Sequence, residues 1–229
     1  LPMGAINGLY FSILNITATL SGKGQESPCI FSPLATTPEL LFPHRQAFIP
    51  SEQECHDLWD KYDMLDNIRA HCTLVARVAT AVAGMAWEKG LQVNVPEVHA
   101  SGLLHDLAKT YCVRHGGGHA QLGASWVVQE TGNYAIAQGV FHHVYWPWSL
   151  PRENDPRICS LPFFVMYADK RARHAQFVTL EERFEDLLVR YGDTEEHRQG
   201  IRQSYAQGKA IERSMSLILG RDLSRENLG

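Results

Sequence analysis

The sequence lacks several features that mark whole classes of protein. Basic residues are not in excess, since 21 Lys and Arg stand against 25 Asp and Glu, for a formal net charge of −4. This balance excludes the positive field that attracts nucleic acid or an anionic membrane. No apolar run approaches the roughly 20 residues that a membrane-spanning helix needs. No basic residue precedes the mildly apolar stretch GLYFSILNITATLSG, so we expect no signal peptide.

Paired cysteines are lacking as well. The five cysteines are scattered, odd in number and without a CxxC pair: Cys29, Cys55, Cys72, Cys112 and Cys159. This usage is typical of a reducing compartment, so we expect a cytoplasmic protein without a disulfide framework or a zinc ribbon. Because the chain is acidic overall, an anionic substrate would need positive charge supplied locally, by metal ions or by a few Lys and Arg side chains.

Alternation of apolar and polar residues, the pattern of a half-buried strand, is almost missing, and no internal repeat is present. Four prolines between positions 28 and 43 exclude a long helix in residues 1–50. We predict that this region is an irregular arm lying on the domain, with one strand near Tyr10–Ile16. The remaining chain is long enough for one sizeable hydrophobic core.

From residue 51 onwards the pattern is helical. Ser51 with Glu54, and Thr179 with Glu182, have the spacing of capping boxes that open helices. Apolar periodicity predicts further helices over 65–87, 96–113, 121–130, 134–144, 161–174 and 195–219. The fold is therefore predicted to be all-α, with a domain over 51–190. The amphipathic C-terminal helix of 191–229 either closes the core or mediates a homodimer.

The segment SGLLHDLAKTY, residues 101–111, places polar side chains within an apolar helix. One face is expected to pack, and it consists of Leu103, Leu104, Leu107, Ala108 and Tyr111. His105, Asp106 and Lys109 fall together on another face. A His-Asp dipeptide alone is weak evidence for a site, because a solvated polar face is the commoner explanation.

Other metal-ligand residue types accompany this segment. His71 shares the apolar stripe of its helix and is predicted to be buried. Asp169 lies in the apolar segment FFVMYADKRAR, where a buried carboxylate needs a cation or several donors. His119 follows three glycines, and His142 with His143 ends an apolar helix. Taken together, these residues are candidates for a metal site.

The motifs LLHDLAK and YADK, preceded by the upstream His71 in an all-α chain, resemble the HD superfamily of metal-dependent phosphohydrolases. The resemblance covers about residues 51–190 and implies a helical bundle. The additional histidines after the HD motif are similar to those of the subset that binds two metals. Within that subset the sequence is most similar to the bacterial branch that hydrolyses dinucleoside tetraphosphates, and it lacks the GYP signature of cyclic-di-GMP phosphodiesterases.

The resemblance implies a dinuclear site in which Asp106 bridges both ions. The implied ligands are His71, His105, Asp106, His119, His142, His143 and Asp169, with either or both of the adjacent histidines ligating. Neighbouring helical residues diverge by about 100°, which suits two ions about 3.5–4 Å apart better than one. The many imidazoles favour Fe or Mn, with Ni, Co, Zn or Mg as options.

The implied activity is hydrolysis of a phosphoester or phosphoanhydride bond, in a nucleotide or another small phosphate ester, by a hydroxide held between the ions. Asp106 and Lys109 would be catalytic, and Lys109 would also contact a phosphate oxygen. Arg171, Arg173 and Arg114 are weaker candidates for phosphate contacts. Two other interpretations stay open: a di-iron oxygenase on the same scaffold, and a nucleotide-binding domain without turnover.

The substrate is not specified by these motifs. The loop over residues 144–157 and the N-terminal arm are expected to shape the pocket. Tyr145, Trp146 and Trp148 in this loop offer surfaces on which a base could stack, although aromatic residues more often cover a core.

Overall fold

The structure is a computed structural model that describes residues 46–229. Most of the predicted arm, including the strand near Tyr10–Ile16, lies outside these residues. The helices are α1 (Glu52–Lys61), α2 (Asp66–Glu88), α3 (Val95–Leu104), α4 (Lys109–His115), α5 (His119–Thr131), α6 (Tyr134–His142), α7 (Leu161–Lys170), α8 (Leu180–Tyr191) and α9 (Glu195–Leu219). A 3₁₀ turn, Pro156–Ile158, and an antiparallel pair, β1 (Ala172–Arg173) and β2 (Gln176–Phe177), complete the elements. The fold is all-α, as predicted.

Both predicted capping boxes are present. The Ser51 and Thr179 side chains accept hydrogen bonds from the backbone N–H groups of Glu54 and Glu182, whose carboxylates accept in return. These bonds satisfy N–H groups that a helix start leaves without intrahelical partners, and so they fix where α1 and α8 begin.

The predicted continuous helix over 96–113 is wrong, because residues 105–108 form a turn between α3 and α4. The His105 ring Nδ1 bonds to the Gly102 carbonyl at 2.8 Å and competes with the helical ladder there. Leu107 N–H bonds to the Leu104 carbonyl, an i to i+3 contact that tightens the turn. The Leu103 carbonyl accepts instead from the Trp59 indole at 2.9 Å. The HD motif therefore lies at a break in the helix.

Smaller differences concern helix ends and one side chain. α6 ends at His142, and α7 ends at Lys170, where the chain turns into the β1–β2 hairpin instead of continuing as helix to residue 174. Tyr111, expected on the packed face, is 46% exposed. It belongs to α4, which the turn at 105–108 separates from the packed face of α3.

Two hydrophobic clusters share α2. One joins α2 to α7 and to α9 through Ile211, Met215 and Leu219, and the other joins α2 to α1, α3, α5 and α6. α9 thus helps to close the core, while its role in a homodimer stays a prediction. Within residues 46–229, no helix combines the length and apolar character needed to cross a membrane.

Candidate metal centre

Five elements bring metal-ligand side chains to one place in the domain. These are His71 from α2, His105 and Asp106 from the turn after α3, His119 from the start of α5, His143 just after α6, and Asp169 from α7. His71, predicted to be buried, is 7% exposed, and His105 and Asp106 are fully buried. We refer to these six residues as the His/Asp cluster.

Asp106 lies at the middle of the cluster, and each of its two carboxylate oxygens faces a different pair of histidines. Oδ2 is 3.5 Å from His105 Nε2 and 3.9 Å from His71 Nε2. Oδ1 is 3.3 Å from His119 Nε2 and 3.6 Å from His143 Nε2. The cluster therefore contains two groups of three residues, each with ligand atoms close enough to hold one metal ion, and Asp106 is common to both.

Asp169 adds a second carboxylate to the side of the cluster that contains His71. Its Oδ1 is 3.0 Å from His71 Nε2 and 3.7 Å from His105 Nε2. Asp169 is therefore positioned beside both imidazoles of the first group, where it is a candidate for a further oxygen ligand.

Backbone carbonyls orient three of the imidazoles. Because a carbonyl only accepts, the Nδ1 atom that bonds to it carries a proton, and Nε2 is the ring nitrogen that faces the carboxylates of the cluster. The bonds join His71 to the His174 carbonyl, His105 to that of Gly102 and His143 to that of Val140, at 2.9, 2.8 and 2.6 Å. The His174 carbonyl, supplied by the β1–β2 hairpin, was missed by sequence reasoning because a main-chain acceptor has no residue-type signature.

Unpaired polar atoms within the His/Asp cluster are a second indication, besides the distances, that it could hold metal ions. Among the described residues, the buried atoms His105 Nε2 and Asp106 Oδ1 have no hydrogen-bond partner. His119 Nε2 and His143 Nε2 face each other at 3.2 Å. Buried polar atoms normally have partners, and a metal ion bound in place of the ring proton of His105 would supply one.

The protonation states of the carboxylates suit metal ligation. Burial opposes ionisation of Asp106, but the Lys109 ammonium, 2.6 Å from Oδ2, and the His105 ring outweigh it and hold the carboxyl pKa well below its usual range. Burial likewise opposes ionisation of Asp169, and its hydrogen bond with His71 keeps the pKa low.

The imidazoles divide into two kinds. Burial lowers the pKa of His119 to about 3 and also lowers that of His143, which leaves both rings neutral and able to ligate. Burial also acts to lower the pKa of His105, but Cys72 and the Asp106 carboxylate outweigh it and raise the pKa well above its usual range. A metal at His105 would therefore displace a proton.

Of the two adjacent histidines, the structure brings only His143 into the cluster. The His142 ring packs instead against Trp146 and Trp148. The prediction that His142 is a ligand is wrong in this structure, because adjacent residues on a helix point about 100° apart and only His143 is directed at Asp106.

The residues predicted to contact phosphate lie in different environments. Lys109 lies beside Asp106 with its side chain 40% exposed, at the edge of the cluster. Arg171 is only 1% exposed, and its guanidinium donates to the Val178 and Leu223 carbonyls and to Glu212. The expectation that Arg171 contacts phosphate is wrong, because this guanidinium is part of the core.

Two further arginines lie away from the core. Arg173, in β1, donates to the Gln176 side chain at 3.3 Å, and its role at phosphate stays a prediction. Arg114 pairs on the surface with Asp63 at 2.5 Å.

The structure thus combines an all-α domain with a buried His/Asp cluster that could hold metal ions. The comparison with known families agrees, since the model of the HD domain matches residues 69–174. This segment starts just before His71 and ends at the hairpin, so it spans the whole cluster. The match supports the HD superfamily, whose members are generally metal-dependent phosphohydrolases. Neither the comparison with curated proteins nor that with solved structures gave a match.

Proposed function

We propose that this protein is a phosphohydrolase that uses two divalent metal ions. The observation that carries the proposal is the division of the Asp106 carboxylate between two pairs of imidazoles. A carboxylate that served a single ion would not need His119 and His143 on its far oxygen. The family match supports the coarser part of this proposal, metal-dependent phosphohydrolase activity.

The residues of the chain have separate tasks in this reaction. When bound, two ions lower the pKa of a shared water and neutralise charge on the phosphoryl oxygens. The His/Asp cluster holds the ions with neutral imidazoles and ionised carboxylates. Lys109 adds positive charge at the exposed edge, where an anionic phosphate would approach Asp106.

The substrate we propose is a nucleotide or a related small phosphate ester. Resemblance to the branch that hydrolyses dinucleoside tetraphosphates supports a phosphoanhydride, and the imidazole-rich ligands support Fe or Mn. Both choices can be tested with one panel of phosphate esters and nucleotides and one panel of metals.

The decisive variant is Asp106→Ala, measured by phosphate release in the presence of Mn or Fe. We expect activity to be lost while circular dichroism shows the helices intact. Asp60→Ala is the matched control, because this carboxylate is 71% exposed and pairs with Arg69 on the surface. Undiminished hydrolysis by Asp106→Ala would contradict the proposal. Oxygen consumption without phosphate release would favour the di-iron oxygenase instead.

A further inference from the structure

The loop after α6 contains three aromatic rings in mutual contact. The ring centroids of His142 and Trp146 are 4.8 Å apart, those of Trp146 and Trp148 5.0 Å, and those of His142 and Trp148 5.3 Å. The ring planes are inclined by 58–73°, so faces meet edges, the favourable arrangement for aromatic groups. We call these three residues the aromatic triad.

Two polar atoms of the triad are buried without a partner. Among residues 46–229, neither His142 Nδ1 nor Trp146 Nε1 has a hydrogen bond, and the His142 residue is only 7% exposed. Burying an unpaired polar group costs about 1–3 kcal/mol, so two such groups in contact call for an explanation. They offer one N–H donor and one ring nitrogen that can donate or accept.

The loop is fixed to the domain through its main chain. Gln207 of α9 accepts from the Trp146 N–H and donates to the Trp146 carbonyl, both at 2.9 Å. Lys170 donates to the Val144 carbonyl at 2.8 Å. The Trp146 ring also packs on Phe163, with centroids 4.8 Å apart. These contacts hold the triad in place without using its unpaired atoms.

The triad and the metal centre are connected through neighbouring residues of the chain. His142 precedes His143 of the His/Asp cluster, and Lys170, which anchors the loop, follows Asp169. Trp148 is 61% exposed and presents an aromatic face to solvent. The segment that ends in the candidate ligand His143 therefore continues directly into the loop that carries Trp146 and Trp148.

We propose that the aromatic triad binds a planar heteroaromatic ring of the substrate, such as a nucleobase, while the phosphate lies at the His/Asp cluster. Such a ring supplies both a face for Trp148 and polar edge atoms for His142 Nδ1 and Trp146 Nε1. An alkyl chain would leave the two nitrogens unpaired, and a bare phosphate would leave the aromatic face unused. This inference rests on the proposed function, because it assigns the substrate class of the same site.

The first test uses nucleosides, which carry the ring without the phosphate. We expect adenosine to quench the intrinsic tryptophan fluorescence of the wild-type protein saturably. Since stacking of one base contributes about 1–3 kcal/mol, Trp148→Ala should weaken binding about tenfold or more. Trp87→Ala is the matched control, because Trp87 is 64% exposed and lies on α2, outside the triad. Quenching that does not saturate, or equal affinity in the wild type and Trp148→Ala, would overturn the proposal.

The second test separates stacking from polar recognition and from hydrolysis. His142→Phe keeps a ring but removes the nitrogen, and should weaken nucleoside binding severalfold with an unchanged metal content. For Trp148→Ala, kcat/KM for adenosine monophosphate relative to ribose 5-phosphate should fall about tenfold, and an unchanged ratio would contradict base recognition. If no ester is hydrolysed at all, the proposed function fails, and nucleoside binding still decides this inference by itself.

Discussion

The ligand atoms around Asp106 are not interchangeable. Oδ2 lies near the imidazoles of His71 and His105, whereas Oδ1 lies near those of His119 and His143. Removing one imidazole should therefore affect one ion before the other. The adjacent His142 supplies a chemically identical side chain that points elsewhere, so its replacement separates a local effect from a ligand effect.

We expect His119→Ala to lower the bound metal from two ions to one per chain, because its Nε2 is 3.3 Å from Asp106 Oδ1 and no other described residue replaces it in that group. His142→Ala should keep both ions. Elemental analysis of the purified variants gives the count directly. Equal metal loss in the two variants would show that the ligands are assigned wrongly.

The close packing of α3 on α2 positions the turn at residues 105–108. A Cβ at Gly102 would lie 2.5 Å from Ala76 Cα and 3.0 Å from Ala76 N, both backbone atoms that cannot move aside cheaply. The Gly102 carbonyl also holds the His105 ring. The absence of a side chain at this position therefore sets both the distance between the helices and the orientation of a ligand.

Gly102→Ala should lower the free energy of unfolding by about 1–3 kcal/mol or more, as overpacked cores do, and should also weaken metal binding. The matched control is Gly84→Ala, since a Cβ at Gly84 of α2 meets nothing within 4 Å. That variant should be neutral or stabilised by up to about 1 kcal/mol. Urea denaturation compares the two, and similar stabilities would contradict the close-contact argument.

Helix identity was predictable from the sequence, whereas the interruption at the HD motif was not. Capping boxes and apolar periodicity depend on neighbouring residues, and they gave α1, α8 and α9 correctly. Just before the turn at 105–108, the Leu103 carbonyl accepts a hydrogen bond from the indole N–H of Trp59, which is 44 residues away in the sequence. Periodicity carries no information about such a contact, and the two-residue strands of the hairpin are too short to show alternation.

The candidate ligands were predictable as residue types but not as a geometry. His71, His105, Asp106 and Asp169 were identified as candidates by motif, whereas the choice between His142 and His143 needed the direction in which each ring points. A basic residue near a motif suggests a phosphate contact, and this led to the wrong prediction for Arg171. Its actual partner, the buried carboxylate of Glu212, lies 41 residues further along the sequence and could not be inferred from the motif.

At the scale of the whole molecule, a buried ion pair attaches α9 and the C-terminal segment to the domain. Arg171 Nη1 donates to Glu212 Oε2 at 3.1 Å and to the Leu223 carbonyl at 2.8 Å. Glu212 also accepts from Lys209 at 2.9 Å. Because Arg171 follows Asp169 by two residues, this attachment supports the end of α7 from which a candidate ligand projects.

Glu212→Ala should destabilise the fold by about 3–5 kcal/mol, since it leaves the buried Arg171 charge uncompensated. Arg213→Ala is the control, because the Arg213 side chain is 75% exposed and its pair with Glu153 is superficial. That change should stay within about 0.5 kcal/mol of the wild type. Thermal or urea unfolding measures both, and a small effect of Glu212→Ala would mean that α9 is attached only by its apolar side.

The bonds from Gln207 to the main chain of Trp146 have a consequence for how new specificities could arise. Since the amide of Gln207 recognises only the N–H and carbonyl that every residue except proline provides, the loop keeps its anchor whatever side chain occupies position 146. Holding the loop and selecting the ligand are thus separate tasks. A library randomised at positions 145, 146 and 148, with Gln207 and Lys170 retained, would explore new ligands on a scaffold whose candidate metal ligands are unchanged.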